Sequence, residues 1–488
     1  MINCRTAKLR CRIGLLCFPL IFACMASVHS ARAQAANTKT NEPQWPNILL
    51  IVADDLGYGD IGCYGQTQIK TPFIDQLAAH GMRFTSCYAS SPVSAPSRAA
   101  LMTGKNTGHL GLRGDGGSLQ PEDVTAGQLF KSANYFTGVL GEWGLGDASS
   151  AATPMRKGFD EWFGVLNLTD AQNYFPTSLN RASVLHGETD YEVTENFDGQ
   201  KGKYSDDYFV EAALNFIHQD KPVWYLHFKP FFLYLPLTIP RANNVLAAAT
   251  GNGMETPEDA PYSNESWPQP EKNKAAMISR LDRYVGSLME KLKTEKIDNN
   301  TIVILTSANG PHKEGGVDPK FFKSAGPFRG IKRDLYEGGI RVPFIVSWPA
   351  AIQPGTTSDL PCALWDFLPT ALNAGGQPAP TNIDGVSLLP TLIGQKQTNR
   401  HEFLYWEVHQ DGFKQAVRMG DWKALRFGVD GPLELYHLKS DSGEKTDVAA
   451  KNPDVVARIE KYLKTARAED NNWPVKTAAE TPKKEYGK

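Results

Sequence analysis

The chain has no excess of positive charge. Its 51 Lys and Arg against 53 Asp and Glu give a formal charge of −2, without the basic field that draws a protein to a phosphate backbone. Nucleic acid is therefore not an expected partner. Beyond residue 28 no segment approaches about 18 uninterrupted apolar residues, so no later membrane-spanning helix is expected. Cysteine is sparse: of 7 in all, Cys4, Cys11, Cys17 and Cys24 lie near the N-terminus, and only Cys63, Cys87 and Cys362 follow. Three cysteines allow at most one bridge, and no CxxC or His-rich spacing suggests a structural zinc site. Internal repeats and long low-complexity tracts are missing too.

What comes first is a leader. Arg5, Lys8, Arg10 and Arg12 precede an apolar stretch at 13–28, followed by the small-residue pattern Ala31-Arg32-Ala33. This is the layout of a secretory signal, so residues 1–33 are expected to be removed and the protein exported to the periplasm or the medium. Bulky Phe22, where a lipoprotein cleavage box carries a small residue, argues against a lipid anchor at Cys24. A polar linker covers 34–43.

From there strands and helices alternate. Residues 48–53, Ile-Leu-Leu-Ile-Val-Ala, are apolar without alternation, as in a strand buried on both faces of a parallel sheet. Thr71-Pro72 starts a helix that Gly81 ends. A helix at 125–133, strands at 136–140, 223–228 and 231–237, and a long helix at 274–293 follow. On that helix Met277, Leu281, Val285, Leu288 and Leu292 form a core-facing stripe. Further buried strands are expected at 302–305 and 342–348. The pattern predicts an α/β sandwich with a mostly parallel central sheet over residues 44–395.

After His401 the period changes. Short runs at 403–408, 415–419, 422–427 and 433–438 are separated by Asp411-Gly412, Gly420-Asp421 and Asp430-Gly431, the turn pairs of antiparallel strands. An amphipathic helix at 454–466 completes a small α+β subdomain spanning 396–468. Residues 469–488, rich in Lys, Glu and Pro, read as a loose tail.

In an open α/β sheet ligands gather at the carboxyl ends of the strands. The first strand delivers Asp54 and Asp55 there, and the strand at 302–305 leads to Ala308 and Asn309. Two carboxylates and an amide oxygen are hard ligands suited to Ca²⁺ or Mg²⁺; an Asp-Asp pair taken alone reads first as a solvated turn or helix cap. Pro96 followed by residues 97–102 predicts a helix starting beside Ser94, with Arg98 one turn on. A helix N-terminus is a ready anion site, and a hydroxyl with a guanidinium there suits attack on a sulfate or phosphate ester, although a Ser at that place can also be a helix cap.

Here the sequence resembles the formylglycine-dependent sulfatase family, in its arylsulfatase-like branch, over almost the whole mature chain. Residues 46–65 look like its metal-binding opening. Ser94-Ala95-Pro96-Ser97-Arg98 matches the Cys/Ser-x-Pro-x-Arg maturation signature in its serine form. Blocks at 158–164, 330–343 and 419–423 are similarly placed. The resemblance implies an alkaline-phosphatase-like fold and a maturation enzyme that oxidises position 94 to formylglycine. The substrate would be a sulfated small molecule or glycan. It further implies that Asp54, Asp55, Asn309 and the modified Ser94 hold Ca²⁺, that Arg98 hydrogen-bonds the nucleophile, and that Lys332 reaches a sulfate oxygen, with His312 as a further substrate contact.

The departures gather at the same site. Ala308 stands where the family has Asp, Glu142 where it has Lys, Gly144 where many members have His, and Arg241 where Pro-His is usual. Ala171–Tyr174 and Gly316–Asp318 also lack an expected His. An Arg does not donate its proton at neutral pH, and an anion replaces a cation near developing negative charge. These changes predict impaired hydrolysis of sulfate esters. The alternatives are a fully active sulfuric ester hydrolase with an unusual site, and a non-catalytic protein that binds a sulfated ligand or a partner. A two-metal phosphatase is disfavoured, since no second carboxylate and imidazole cluster is evident. Substrate choice is expected to lie in loops at 167–191 and 241–267.

Overall fold

The computed structural model describes residues 45–114, 116–184, 187–218, 229–481 and 483. The expected signal and linker, and the strand at 223–228, lie outside the described residues. Among the described residues no helix is long and apolar enough to cross a membrane.

The first strand, Asn47–Ala53, explains its own sequence. Leu49, Ile51 and Ala53 enter one core layer while Ile48, Leu50 and Val52 enter the other. The first layer is covered by helices Pro72–Ala79, Ser205–Ile217 and Gln269–Thr294, and the second by Ser94–Thr103, Ala126–Ser132 and Phe367–Ala374. Both faces are dry, so a two-residue alternation has no solvent side to mark. Met277, Leu281, Val285, Leu288 and Leu292 are buried on the long helix, as their spacing predicts.

Ten strands form the main sheet. Its centre is five parallel strands in the order Thr301–Ser307, Asn47–Ala53, Phe231–Pro236, Phe136–Glu142 and Glu161–Val165. Phe344–Ser347 adds antiparallel to Thr301–Ser307 and continues to Met82–Phe84 and Thr356–Ser358. On the other side Ser178–Ser183 and Gly187–Glu192 extend the sheet antiparallel. The second half of the segment expected as a loop at 167–191 therefore carries two strands at the sheet edge. Its strands carry polar residues with little apolar alternation, which hides them from a periodicity reading. The second expected loop holds the helix Asn244–Thr250.

Two local expectations are corrected. Thr71 does not cap the helix at Pro72: its hydroxyl accepts from the Gly62 N–H at 2.8 Å, and no side-chain cap bond forms. Gly81 adjoins the short strand Met82–Phe84, and a Cβ there would lie 2.3 Å from Val346 O. Close approach to the neighbouring strand explains that glycine.

The C-terminal strands Leu404–Val408, Lys414–Met419, Trp422–Phe427 and Leu433–His437 form an antiparallel meander. One face, with Leu404, Trp406 and Val408, packs on Tyr88, Ile340 and Trp365; the other takes Ile459 and Leu463 of the helix Pro453–Leu463. The main sheet and the meander lie in one compact unit that starts at Trp45; one face of the meander shares a core with residues before 395, while the other packs with its own helix. The described part of the expected loose tail is docked at Trp473 and Thr481. Trp473 Nε1 donates to Gly111 O at 2.7 Å, and Thr481, 3% exposed, accepts from the Phe413 N–H at 3.0 Å. Trp473 supplies an anchor that the Lys- and Glu-rich composition conceals.

Candidate active site

Four adjacent parallel strands aim their carboxyl ends at one place. Asn47–Ala53 leads directly into Asp54 and Asp55, Thr301–Ser307 into Ala308 and Asn309, and Phe136–Glu142 ends on Glu142 itself. Phe231–Pro236 runs on through Leu237 to Arg241. Just before Glu142, Gly141 has φ +131°, and a Cβ there would lie 2.1 Å from Pro236 O. Only glycine lets these two strands approach so closely at the rim of the site.

Asp55 turns the chain through the left-handed region at φ 65°, a conformation that Asp tolerates better than most residues. The neighbouring carboxylates then serve separate clusters. Asp54 Oδ2 receives Arg98 Nη2 at 3.3 Å and also pairs with Arg241 Nη2. Asp55 accepts from Asn309 Nδ2 at 2.7 Å on one oxygen and from Lys332 Nζ at 2.8 Å on the other.

Ser94 opens the helix Ser94–Thr103, and the N-cap position is Val93. The Ser94 hydroxyl is not used as a cap; it accepts from Arg241 Nη2 at 3.3 Å. Arg98, one turn further on, donates to the Glu142 carbonyl at 3.1 Å and pairs with Glu142 Oε2 at 2.7 Å. Arg241 pairs with the same carboxylate, both of its terminal nitrogens lying 3.0 Å from Glu142 Oε1. Gly144 adjoins this pair, and its φ of +68° rather than lack of space favours glycine: a Cβ there would sit in ordinary contact, 3.4 Å from Arg98 Nη1 and 3.5 Å from Glu142 Oε1.

Burial sets the electrostatics. It pushes the Glu142 carboxyl up to about 7 against the lowering pull of Arg98. Burial lowers Arg241 to about 10, which still leaves the guanidinium a cation at neutral pH. For Arg98 burial works against the charge, but Glu142, Tyr234 and Asp55 together outweigh it and raise the pKa. Three carboxylates, Asp54, Asp55 and Glu142, therefore face three cations, Arg98, Arg241 and Lys332.

The structure brings Asp54, Asp55, Ser94, Arg98, Glu142, Arg241, Asn309 and Lys332 together, with Ala308 buried beside Asn309. His312 departs from expectation. It is fully buried, its Nε2 lies 3.2 Å from Pro240 O, and its Nδ1 accepts from the Glu314 N–H at 3.0 Å. Both ring nitrogens are engaged by backbone, so His312 braces the Pro240–Arg241 turn rather than facing a ligand. Tyr174 braces it too, donating to Arg241 O at 2.6 Å. Sequence reasoning missed Glu314, which pairs with Arg333 and lies 3.8 Å from Lys332 Nζ. Burial would raise its pKa, but Lys332 and Arg333 hold it down at about 2. Nothing in the sequence around Glu314 marks it.

Among the described residues one acidic and imidazole group has the spacing to hold a metal: Asp55, His312 and Glu314. All three are already engaged, by Asn309 and Lys332, by backbone, and by Arg333. In the set implied by resemblance, both Asp55 oxygens accept from N–H donors and Asp54 Oδ2 carries two guanidiniums. Asp54 Oδ1 and Asn309 Oδ1 are buried without a hydrogen-bond partner, and Ala308 offers no side-chain oxygen. Protein donors already occupy the faces of Asp54 and Asp55 that an ion would need, and Ca²⁺ takes six to eight oxygens, so these residues, so arranged, do not fit it.

The sequence profile of the family described as Sulfatase matches residues 46–377. The chain belongs to the sulfatase family. A second profile, N-sulphoglucosamine sulphohydrolase, C-terminal, matches residues 329–469 and takes in the antiparallel meander. The chain is 29% identical to N-acetylgalactosamine-6-O-sulfatase of Bacteroides thetaiotaomicron, over 87% of this chain and 93% of that one. It is 30% identical to human arylsulfatase A, with 87% and 88% covered. The solved structure of Ps i-CgsB in complex with k-i-k-neocarrahexaose superposes with a TM-score of 0.71 at 30% identity, covering 87% of this chain and 93% of that one. The mostly parallel sheet with its C-terminal antiparallel sheet is the alkaline-phosphatase-like sulfatase fold.

Proposed function

We propose that this protein is an exported sulfatase-family member that binds sulfated carbohydrate at the Ser94 end of the sheet and hydrolyses sulfate esters with severely reduced efficiency. The observation that carries this reading is the placement of Arg241. Its guanidinium hydrogen-bonds Ser94 and is paired with both Asp54 and Glu142.

In sulfate-ester hydrolysis a nucleophile at position 94 attacks sulfur and the departing alcohol takes up a proton. Formylglycine at that position would supply a second hydroxyl through which sulfate is expelled. On this reading Arg98 holds the site from one helical turn away and Lys332, 9% exposed, meets a sulfate oxygen. Arg241 has no proton to give at neutral pH. Loss of a general acid alone costs about 10²–10⁴-fold in rate, and Glu142 adds a carboxylate beside the developing negative charge. Binding of a sulfated sugar is supported by the relatives, whose names include N-acetylgalactosamine-6-O-sulfatase and a carrahexaose complex.

One feature supports the alternative of a fully active enzyme: the 94–98 signature is intact, and the Ser94 hydroxyl is not consumed by capping. The two are separated by assaying 4-methylumbelliferyl sulfate and sulfated disaccharides beside an active sulfatase. The proposal expects turnover at least about 10³-fold lower, with sulfated oligosaccharide still bound and binding weakened by Lys332→Ala. Turnover matching the active sulfatase would overturn it.

A further inference from the structure

The site has a cation of its own. We infer that Arg241 is the resident cation of this carboxylate cluster and that the protein holds Asp54, Glu142 and position 94 together without a divalent ion. This deepens the reading above, on which it rests for the identity of the pocket, and it is tested apart from turnover.

An ion bridging Asp54 and Ser94 would have to displace Arg241 Nη2, which contacts Asp54 Oδ2 and lies 3.3 Å from Ser94 Oγ. The displaced guanidinium would leave Glu142 with Arg98 alone. Glu142 is completely buried, so its charge has no water to turn to. The second obstacle is charge. Three carboxylates already face three protein cations, and a divalent ion would bring two uncompensated positive charges into a water-poor pocket. The third is the donor set. Asn309 turns its Nδ2 toward Asp55, and Lys332 occupies the other Asp55 oxygen at 2.8 Å. Arg241 is itself fixed: its turn is braced by Tyr174 at 2.6 Å and by His312 Nε2 on Pro240 O at 3.2 Å. A guanidinium also suits the role chemically, because its fixed fork of donors can bind two carboxylates and a hydroxyl at once.

The test is calorimetric titration of Ca²⁺ into the chelator-treated full-length mature protein, with melting curves in Ca²⁺ and in EDTA. The wild type is expected to show no saturable heat, and its Tm to move by less than about 1 °C. Arg241→Ala combined with Ala308→Asp is expected to acquire Ca²⁺ binding, with a Tm rise in Ca²⁺ of about 4 °C or more. Saturable Ca²⁺ binding by the wild type with an EDTA-sensitive Tm overturns the inference, and that result needs no variant to fold. A folded double variant that remains blind to Ca²⁺ overturns it as well. Ca²⁺ binding without turnover would sink this inference and leave the proposed function standing; rapid turnover without Ca²⁺ would do the reverse.

Discussion

Arg241 and Glu142, 99 positions apart in the chain, meet as a two-pronged ion pair at 2.9 and 3.0 Å, and the same guanidinium reaches the Ser94 hydroxyl at 3.3 Å. Two residues distant in the chain are thus one structural unit. The buried acid and the buried guanidinium compensate each other's charge.

The pair should therefore be energetically coupled. Removing one partner of a buried ion pair costs about 3–5 kcal/mol, because the other charge is stranded. Urea unfolding of Glu142→Gln, Arg241→Gln and the double variant should give a coupling energy above about 1 kcal/mol. Additivity within about 0.5 kcal/mol would show that the contact carries no such unit.

Reversing the departures together should restore chemistry. Glu142→Lys, Arg241→His and Ala308→Asp in one chain would remove the anion, return a titratable acid and add an oxygen ligand. Hydrolysis of p-nitrophenyl sulfate is expected to rise by at least about 100-fold over wild type. A folded triple variant with unchanged kcat would place the fault elsewhere.

Much of this was legible in the sequence. Residues 48–53 and 302–305 read as buried strands because both of their faces are covered, and Ser94, Arg98, Asp54, Asp55, Asn309 and Lys332 stood out through ordered blocks. What stayed hidden depends on three-dimensional pairing. Nothing local says that Glu142 and Arg241 touch, that the His312 ring is used up by backbone, or that Glu314 lies beside Lys332. The edge strands at 178–183 and 187–192 were hidden for a different reason: they have little apolar face to bury, so they carry no alternation.

Acid should unfasten the C-terminal sheet. Glu407 is fully buried, with Arg113 at 2.8 Å and Arg467 at 2.9 Å. Burial would raise its pKa, but His409, Arg113 and Arg467 outweigh that and hold it at about 2, below its ordinary 4.5. A depressed carboxylate contributes stability above its unfolded value and loses it as pH falls through the folded one. Stability on the order of 3 kcal/mol should therefore fade between about pH 4.5 and 2. Denaturant melts across that range should show a shallower loss for Glu407→Gln, which is already destabilised at pH 7; parallel curves for the two proteins would contradict the assignment.

The docked tail should matter to stability. Trp473 donates to Gly111 O and packs 5.4 Å from the His409 ring. Trp473→Ala is expected to cost about 1–2 kcal/mol, and thermal melting should show it as a fall in Tm of several degrees. An unchanged Tm would mean that residues 470–481 add nothing to the fold.

The central claim, that the Arg241–Glu142 arrangement restrains hydrolysis, is tested most directly on protein isolated from cells that mature their sulfatases. The mass of the tryptic peptide 84–98 reports whether position 94 is formylglycine, and the same preparation is assayed for sulfate release. The account predicts that even fully converted protein turns over at least about 10³-fold more slowly than a comparable sulfatase. Converted protein with ordinary sulfatase turnover would contradict it.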